Sequence, residues 1–318
     1  MSRTHYIDNV SAVMVLYMVF YHAAFWFGVG DSLAYTILYN IFFFFMPWFF
    51  FKSGMFAKEE SLKDTIVKGF KSLIVPFLFW GFLSYAILSF PYYTNRPVLE
   101  SVTGIGYTLF TKGVISGDNM PLWFLLTLFV VRLIFCALRK WRYVLIVVSF
   151  ICAYVMSIYC HSKHFPLIIA NTCTGVFFYS LGNVLRDYRP DRKSLIMMVV
   201  FFALCAIFEA SHVDVFINTL QSGSYLLWII TSLMGILCIN EFFRSCLDKQ
   251  VLGLSYIGQH SMIIYVTHWP LYWIFNDYIL VYLREWGGVI EYLLLFVSIT
   301  ALIMIVKERI DRVCKIRK

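Results

Sequence analysis

Ten long apolar runs, separated by shorter polar and charged stretches, leave this chain few ways to fold. They fall at 9–29, 34–57, 72–90, 121–138, 143–160, 165–185, 194–208, 224–243, 259–280 and 288–306. All but the short run at 194–208 come close to the roughly 17–25 residues that a helix needs to cross a bilayer. Inside hydrocarbon every backbone N–H and C=O must be satisfied within the segment, which a helix does and an open strand does not. The expectation is therefore an all-α, polytopic integral membrane protein of about ten transmembrane helices, forming one transmembrane domain over 1–318. Composition agrees. The chain is 61% hydrophobic and 14% charged, where soluble domains carry about 45–50% and 25%.

The basic residues set the expected orientation. Of 26 lysines and arginines, only Arg96, Lys112, Lys163 and Arg284 fall in one alternating set of connections. The rest lie in the other set, which by the positive-inside rule is cytoplasmic and includes both termini. The net charge of +8 is thus explained by topology and calls for no nucleic acid. The first apolar run exceeds the ~7–15 residues of a signal-peptide core, so it reads as a retained helix. Five of the eight cysteines, Cys136, Cys152, Cys173, Cys205 and Cys238, sit in apolar runs without a CxxC pair. They read as small core residues rather than a disulfide framework.

Two apolar runs carry a histidine deep inside, and an ionisable group at membrane depth is unfavourable and marks a functional site by default. The first holds His22 deep inside, with Asp8 just before its start. On a helix, Asp8, Ser11, Val15, Met18 and His22 share one face, yet Asp8 and His22 lie ~21 Å apart along the axis. A partner for His22 must come from another helix. The ninth run reads SYIGQHSMIIYVTHWPLYWIFND, and Ser261, Tyr265, His268 and Tyr272 form one helical stripe in it, with Pro270 expected to break the ladder just beyond. No HxxxH pair or carboxylate cluster accompanies either histidine, so no metal is expected.

The second run contains FFFFMPWFFFKSGMFAK. Pro47 should kink or interrupt it, and Ser53-Gly54 permit close helix contact. Lys52 within it reads most simply as snorkelling toward the cytoplasmic interface. Lys68 and Lys71, three apart on a helix, share a face and suit the phosphates of an anionic cofactor. They suit topology or anionic lipid as well, and on composition alone those plainer roles are favoured. The stretch 91–120 reads as a long outer loop, and Trp123 in PLWFL as an anchor at the membrane interface.

Several of these pieces together resemble the acyltransferase family 3 of ten-helix membrane O-acyltransferases. They are Ile7-Asp8 with His22, MPWFFFKSG at Met46–Gly54, Lys68 and Lys71 with Pro76, LWFL at Leu122–Leu125, and IGQHSMIIYVTH at Ile257–His268. The resemblance implies a catalytic role for His22 and an acyl-coenzyme A donor, acetyl-coenzyme A in the simplest case, reached from the cytoplasm. It implies a carbohydrate or lipid-linked glycan acceptor and a bacterial plasma membrane. In that family the basic pair is usually arginine, and a basic residue usually stands eleven positions before the histidine. Here that position is Ser11. Lys52, at a place usually apolar in the family, is a candidate to supply the missing charge.

Histidine suits O-acyl transfer because its unperturbed pKa of ~6.5 lets it take a hydroxyl proton near working pH. The expected roles are then His22 as base and Lys68, Lys71 and Lys52 as ligands of coenzyme A phosphates. Asp8, Ser261, Tyr265, His268 and Trp123 would support the site or line the acceptor path. Two other readings stay open. One is a polysaccharide or small-molecule transporter that uses the histidines as proton relays, the other a catalytically inactive homologue.

Overall fold

The computed structural model of the chain describes residues 5–27, 32–89, 98–159, 166–208, 211–214, 219–278, 300, 301 and 304. The described helices are α1 (His5–Phe27), α2 (Leu33–Phe42), α3 (Phe45–Met55), α4 (Leu62–Gly69), α5 (Val75–Ser84), α6 (Val98–Lys112), α7 (Trp123–Leu138), α8 (Arg142–Tyr159), α9 (Leu167–Val184), α10 (Arg192–Ile207), α11 (Tyr225–Cys246), α12 (Leu252–Gln259) and α13 (Ser261–Tyr278). A short antiparallel hairpin pairs His212–Asp214 with Thr219–Ser222. Among the described residues, six helical stretches are long and apolar enough to cross a membrane: His5–Ala24, Tyr35–Met55, Leu62–Leu88, Gly117–Tyr159, Leu167–Val184 and Tyr225–Cys246. The expected runs at 194–208 and 259–280 are helical in α10 and α13 but fall outside those six, and most of 288–306 lies outside the described residues.

Two compact units divide the chain. The first joins residues 1–42 to 239–318; the second is 43–238. In the first, α1 packs along α12 and α13. The α1–α12 crossing is made of backbone. A Cβ placed on Gly258 would stand 1.7 Å from the carbonyl oxygen of Asp8, a distance only glycine avoids. A polar knot locks the same crossing. Asn9 donates to the carbonyls of Leu247 (2.8 Å) and Lys249 (3.1 Å) and accepts from Ser255 Oγ at 2.7 Å. Both side chains are fully buried, where an unpaired amide would be costly and a paired one fixes register. Arg244 extends the knot, with Nη2 donating to the Tyr6 hydroxyl and Nη1 to Glu241, each at 2.9 Å.

The second unit is centred on α9, which packs against α3, α7 and α8. Gly54 and Gly182 let α3 and α9 meet backbone to backbone, since added Cβ atoms would lie 1.9 Å from the Tyr179 oxygen and 2.0 Å from the Phe51 oxygen. This bears out the close contact read from Ser53-Gly54. Aromatic side chains fill the rest, with Phe50 against Phe124 and Phe135 against Tyr179 at ring centroids of 4.8 and 5.0 Å.

Local breaks follow the sequence with three corrections. The second apolar run does divide, at Phe43-Phe44, four and three residues before Pro47, where the proline ring would strike the helix's own carbonyl. Pro270, by contrast, does not end its helix: α13 continues through it to Tyr278. The loop expected at 91–120 is largely ordered helix, because Val98–Lys112 forms α6 and Gly117–Leu122 a 3-10 turn. Thr108 and Thr111 return hydrogen bonds to carbonyls of that helix and make its polar residues compatible with it. Trp123, expected as an anchor at the membrane interface, is 6% exposed and packs inside the protein.

Candidate functional site

The face of α1 read from the sequence is the face that packs inward: Ser11, Val15 and Met18 are fully buried. The helix runs past His22 to Phe27. The partner required from another helix is His268 on α13. Nδ1 of His22 lies 3.0 Å from Nε2 of His268, and the rings stack with centroids 5.1 Å apart and planes 19° from parallel. His268 is fully buried.

The surrounding carbonyls assign the protons. Nδ1 of His268 lies 2.7 Å from the Tyr265 oxygen and 3.2 Å from the Ile264 oxygen. Carbonyls only accept, so this nitrogen carries its hydrogen. In neutral His268 the lone pair then sits on Nε2 and accepts from Nδ1–H of His22. That leaves the lone pair of His22 on Nε2, directed away from the pair. The geometry therefore holds a histidine in one tautomer, with a basic nitrogen outward and an acceptor behind, the arrangement a general base requires.

The rest of the stripe supports this pair. Tyr272, fully buried, donates its hydroxyl to the Val19 carbonyl at 2.8 Å and its ring meets His268 edge-on. Trp269 stands edge-on to His22 with centroids 5.2 Å apart. Tyr265 acts on His268 through its carbonyl. Gln259 donates to Asp8 at 3.2 Å, at the far end of the α1 face from His22. Ser261 opens α13 and is half-buried. The sequence did not indicate Trp269 or an aromatic group on α1 and α2. There Tyr21 contacts His22, Tyr35 and Tyr39 at centroid distances of 5.3, 6.1 and 6.2 Å. Their recurrence at four-residue spacing, Tyr17 with Tyr21 and Tyr35 with Tyr39, was the available signal.

The second unit holds a cavity of about 410 Å³ whose charged lining is Lys58, Glu60, Lys68, Arg132 and Arg139. Helix α4 forms one wall. Ser61 caps it, accepting from the Asp64 amide at 3.1 Å, and Thr65 binds it to α7 through Cys136 Sγ at 3.3 Å. Lys68 reaches the lining and pairs with Glu60 at 2.7 Å. Lys71 does not line it: the helix widens to a π turn at Phe70–Ile74, which swings Lys71 away from Lys68. Lys52 lies over the Trp48 ring, 5.5 Å from its centroid, and also stands off the cavity wall. Trp123 belongs to this unit, while Asp8, Ser261 and Tyr265 belong to the first. Among the described residues no cluster of three metal-ligating side chains occurs.

A helical membrane protein with an oriented histidine pair, His268 buried and His22 half-buried, defines the class, and comparison with known proteins gives the family. The model of the acyltransferase domain family Acyl_transf_3 matches residues 4–308. The chain belongs to this family of membrane acyltransferases. No curated protein and no solved structure matches it.

Proposed function

We propose that the chain transfers an acyl group, acetyl in the simplest case, from acyl-coenzyme A to a hydroxyl of a surface or lipid-linked carbohydrate, acting from the plasma membrane of a bacterium. The observation that carries this reading is the His22–His268 pair, whose hydrogen bonds leave Nε2 of His22 as a base. In the reaction the acceptor hydroxyl oxygen attacks the thioester carbonyl and His22 Nε2 takes the hydroxyl proton. The carbon–sulfur bond then breaks, and the imidazolium returns the proton to the departing sulfur. His268 is the positioning residue: it accepts from His22 Nδ1–H throughout and stabilises the imidazolium as it forms. Tyr265, Ser261 and Asp8 hold α1 and α13 in that relation, and Trp123 supports the packing of the second unit. Donor phosphates are held at the cationic cavity, with Lys68 on its wall and Lys52 and Lys71 off it.

The single transmembrane domain is read as ten crossings with both termini cytoplasmic. The charge distribution supports this, and so does the Gly117–Tyr159 stretch. At 43 residues it would extend ~64 Å as one helix, twice the ~30 Å of a bilayer core. It is broken at Arg139–Trp141 by a basic 3-10 turn suited to a cytoplasmic connection.

The test is transfer or slow hydrolysis of radiolabelled acetyl-coenzyme A by the purified protein, with His22→Gln in parallel. Labelled product that depends on His22 is expected. Wild-type turnover at the protein-free background would overturn the reading.

A further inference from the structure

The tyrosines beside His22 form a surface that the histidine pair does not use. Tyr21, Tyr35 and Tyr39 are each half-buried, as is His22. Their ring planes lie 24–32° from one another and their centroids 6.1–6.2 Å apart. Three rings stacked in one column would separate the outer two much further than either neighbouring pair, so these rings lie side by side as a shelf. Tyr21 joins the shelf to the base, meeting His22 edge-on with centroids 5.3 Å apart. Tyr17, buried one turn earlier on α1, contacts Tyr21 at 6.4 Å and Phe42 at 5.3 Å and closes the inner edge.

Helix α2 carries this shelf on one of two distinct faces. Ser32 caps the helix, accepting from the Tyr35 amide at 3.2 Å. Leu33, Ile37 and Ile41 are 75%, 48% and 40% exposed and lie opposite Tyr35 and Tyr39 at 3.6 residues per turn. That aliphatic face suits lipid. Tyrosines of a membrane-interface belt would point the same way, whereas Tyr35 and Tyr39 turn toward α1. A seam built for packing alone would carry hydrocarbon there, because each hydroxyl inside a membrane needs a polar partner. None of α1, α2 and α13 carries a lysine or arginine, so these helices offer no cation for a phosphate, and the ligand that suits this surface is neutral.

We propose that Tyr21, Tyr35 and Tyr39 are positioning residues for the acceptor, a shelf that takes the C–H face of a neutral pyranose ring and sets which of its hydroxyls meets His22. A pyranose has a flat face of C–H groups and a rim of hydroxyls. Tyrosine matches both, with a flat apolar body and a polar tip, and loses little conformational freedom in doing so. Holding the sugar against rigid rings supplies the orientation that a hydroxyl needs to attack in line with its base. The inference rests on the proposed function for the reaction, and deepens it by assigning the acceptor subsite and its selectivity among hydroxyls.

The test is saturation-transfer difference NMR of the purified full chain in nanodiscs. The probes are the methyl pyranosides of glucose, galactose, mannose and N-acetylglucosamine, with open-chain glucitol for comparison. At least one pyranoside is expected to receive saturation mainly at the C–H protons of one ring face, and glucitol little. Tyr35→Leu and Tyr39→Leu should each weaken that binding about three- to tenfold, the scale of one aromatic contact. Tyr35→Phe keeps the ring and should retain most of the binding. Ile37→Ala, on the lipid face, should bind as wild type does. With acetyl-coenzyme A present, the leucine variants should show a raised acceptor KM and a fall in transfer relative to hydrolysis, whereas a folding defect would lower transfer and hydrolysis together. Tyr21→Leu should give a mixture of positional isomers in the product. A decyl pyranoside of the same sugar is the second probe. Tighter binding than the methyl pyranoside identifies a lipid-linked acceptor and equal binding a polymer or free saccharide; either result, if lost in the same variants, sustains the subsite. No pyranoside contact in wild type, or unchanged contact in folded Tyr35→Leu and Tyr39→Leu, would overturn the proposal and leave the tyrosines as packing. Pyranoside binding at the shelf without any acyl transfer would sustain the subsite and sink the acyltransferase reading. Acyl transfer with an unaltered acceptor KM in the leucine variants would do the reverse.

Discussion

Nδ1 of His22 meets Nε2 of His268 at 3.0 Å while the Tyr265 carbonyl, 2.7 Å behind, holds the opposite nitrogen of His268. The three groups form a chain in which each proton has one place. The two histidines should therefore respond differently to the same change. His22→Gln removes the basic nitrogen and should lower acyl transfer by ~10²–10⁴-fold, the usual contribution of a general base. His268→Gln keeps an amide oxygen to accept from His22 and an amide N–H for the Tyr265 carbonyl, so it should retain more activity. His268→Leu removes the acceptor and should lower kcat with little change in KM. Partial rescue by glutamine separates positioning from mere packing. An active His22→Gln enzyme would move the search for the base to His268.

The sequence made both histidines legible, because ionisable groups are rare in apolar runs and each sat on a polar face. Their contact was not legible. Residues 246 positions apart are brought together by the α1–α12–α13 packing, and nothing in either local pattern encodes that pairing. Gly258 shows why: in the sequence it is one of 17 glycines, and only the crossing reveals its role. The cavity was missed for the opposite reason. Lys58, Arg132 and Arg139 were read as topology determinants, and positive-inside statistics do not separate a charge that faces lipid from one that faces a pocket. The helix α6 was missed because Gly104 and Gly106, which have open space around them, obscure its periodicity.

Gly258 gives the sharpest test of the first unit's packing. Its neighbour is the Asp8 backbone, which cannot rotate aside as a flexible side chain would. Gly258→Ala should lower stability by ~3 kcal/mol, the upper part of the overpacking range. It should also loosen the Gln259–Asp8 contact beside it. Thermal unfolding in detergent reads the effect, and a wild-type melting temperature would show that the helices are less closely apposed than described.

Lys68 and Lys71 separate in the structure and should separate in function. Lys68 lines the cavity, whereas Lys71 sits on the exposed side of a π turn. Lys68→Ala should raise the donor KM by roughly fivefold, the scale of one exposed charge contact of about 1 kcal/mol. Lys71→Ala should leave it within experimental error. Equal effects would mean that the two ammonium groups act together, as their spacing on a regular helix suggests.

Topology is checked by labelling. Tyr107 on α6 is 57% exposed and Lys63 on α4 is exposed. In intact cells with native cysteines blocked beforehand, an impermeant maleimide should label Tyr107→Cys directly. Lys63→Cys should react only after permeabilisation. Labelling of Lys63→Cys from outside would reverse the orientation derived from the basic residues.

Ser11 occupies the place where a basic residue would be expected from the family resemblance. It is fully buried, and its hydroxyl bonds the Ile7 carbonyl one turn back. That bond only supplements a carbonyl already in the helix ladder, so Ser11→Ala should change stability by less than ~1 kcal/mol. Ser11→Arg instead puts a guanidinium into a closely packed face beside the Asn9–Ser255 knot. An unpaired charge taken from water costs several kcal/mol after relaxation. The variant should accumulate poorly and melt early, with transfer activity falling in proportion to folded protein. Specific activity per folded molecule decides the matter. If Ser11→Arg folds and turns over faster than wild type, the slot still accepts a charge and the buried packing around Ser11 opens to admit it. If it fails while Ser11→Ala works normally, this chain has adapted its α1 face to a neutral residue there.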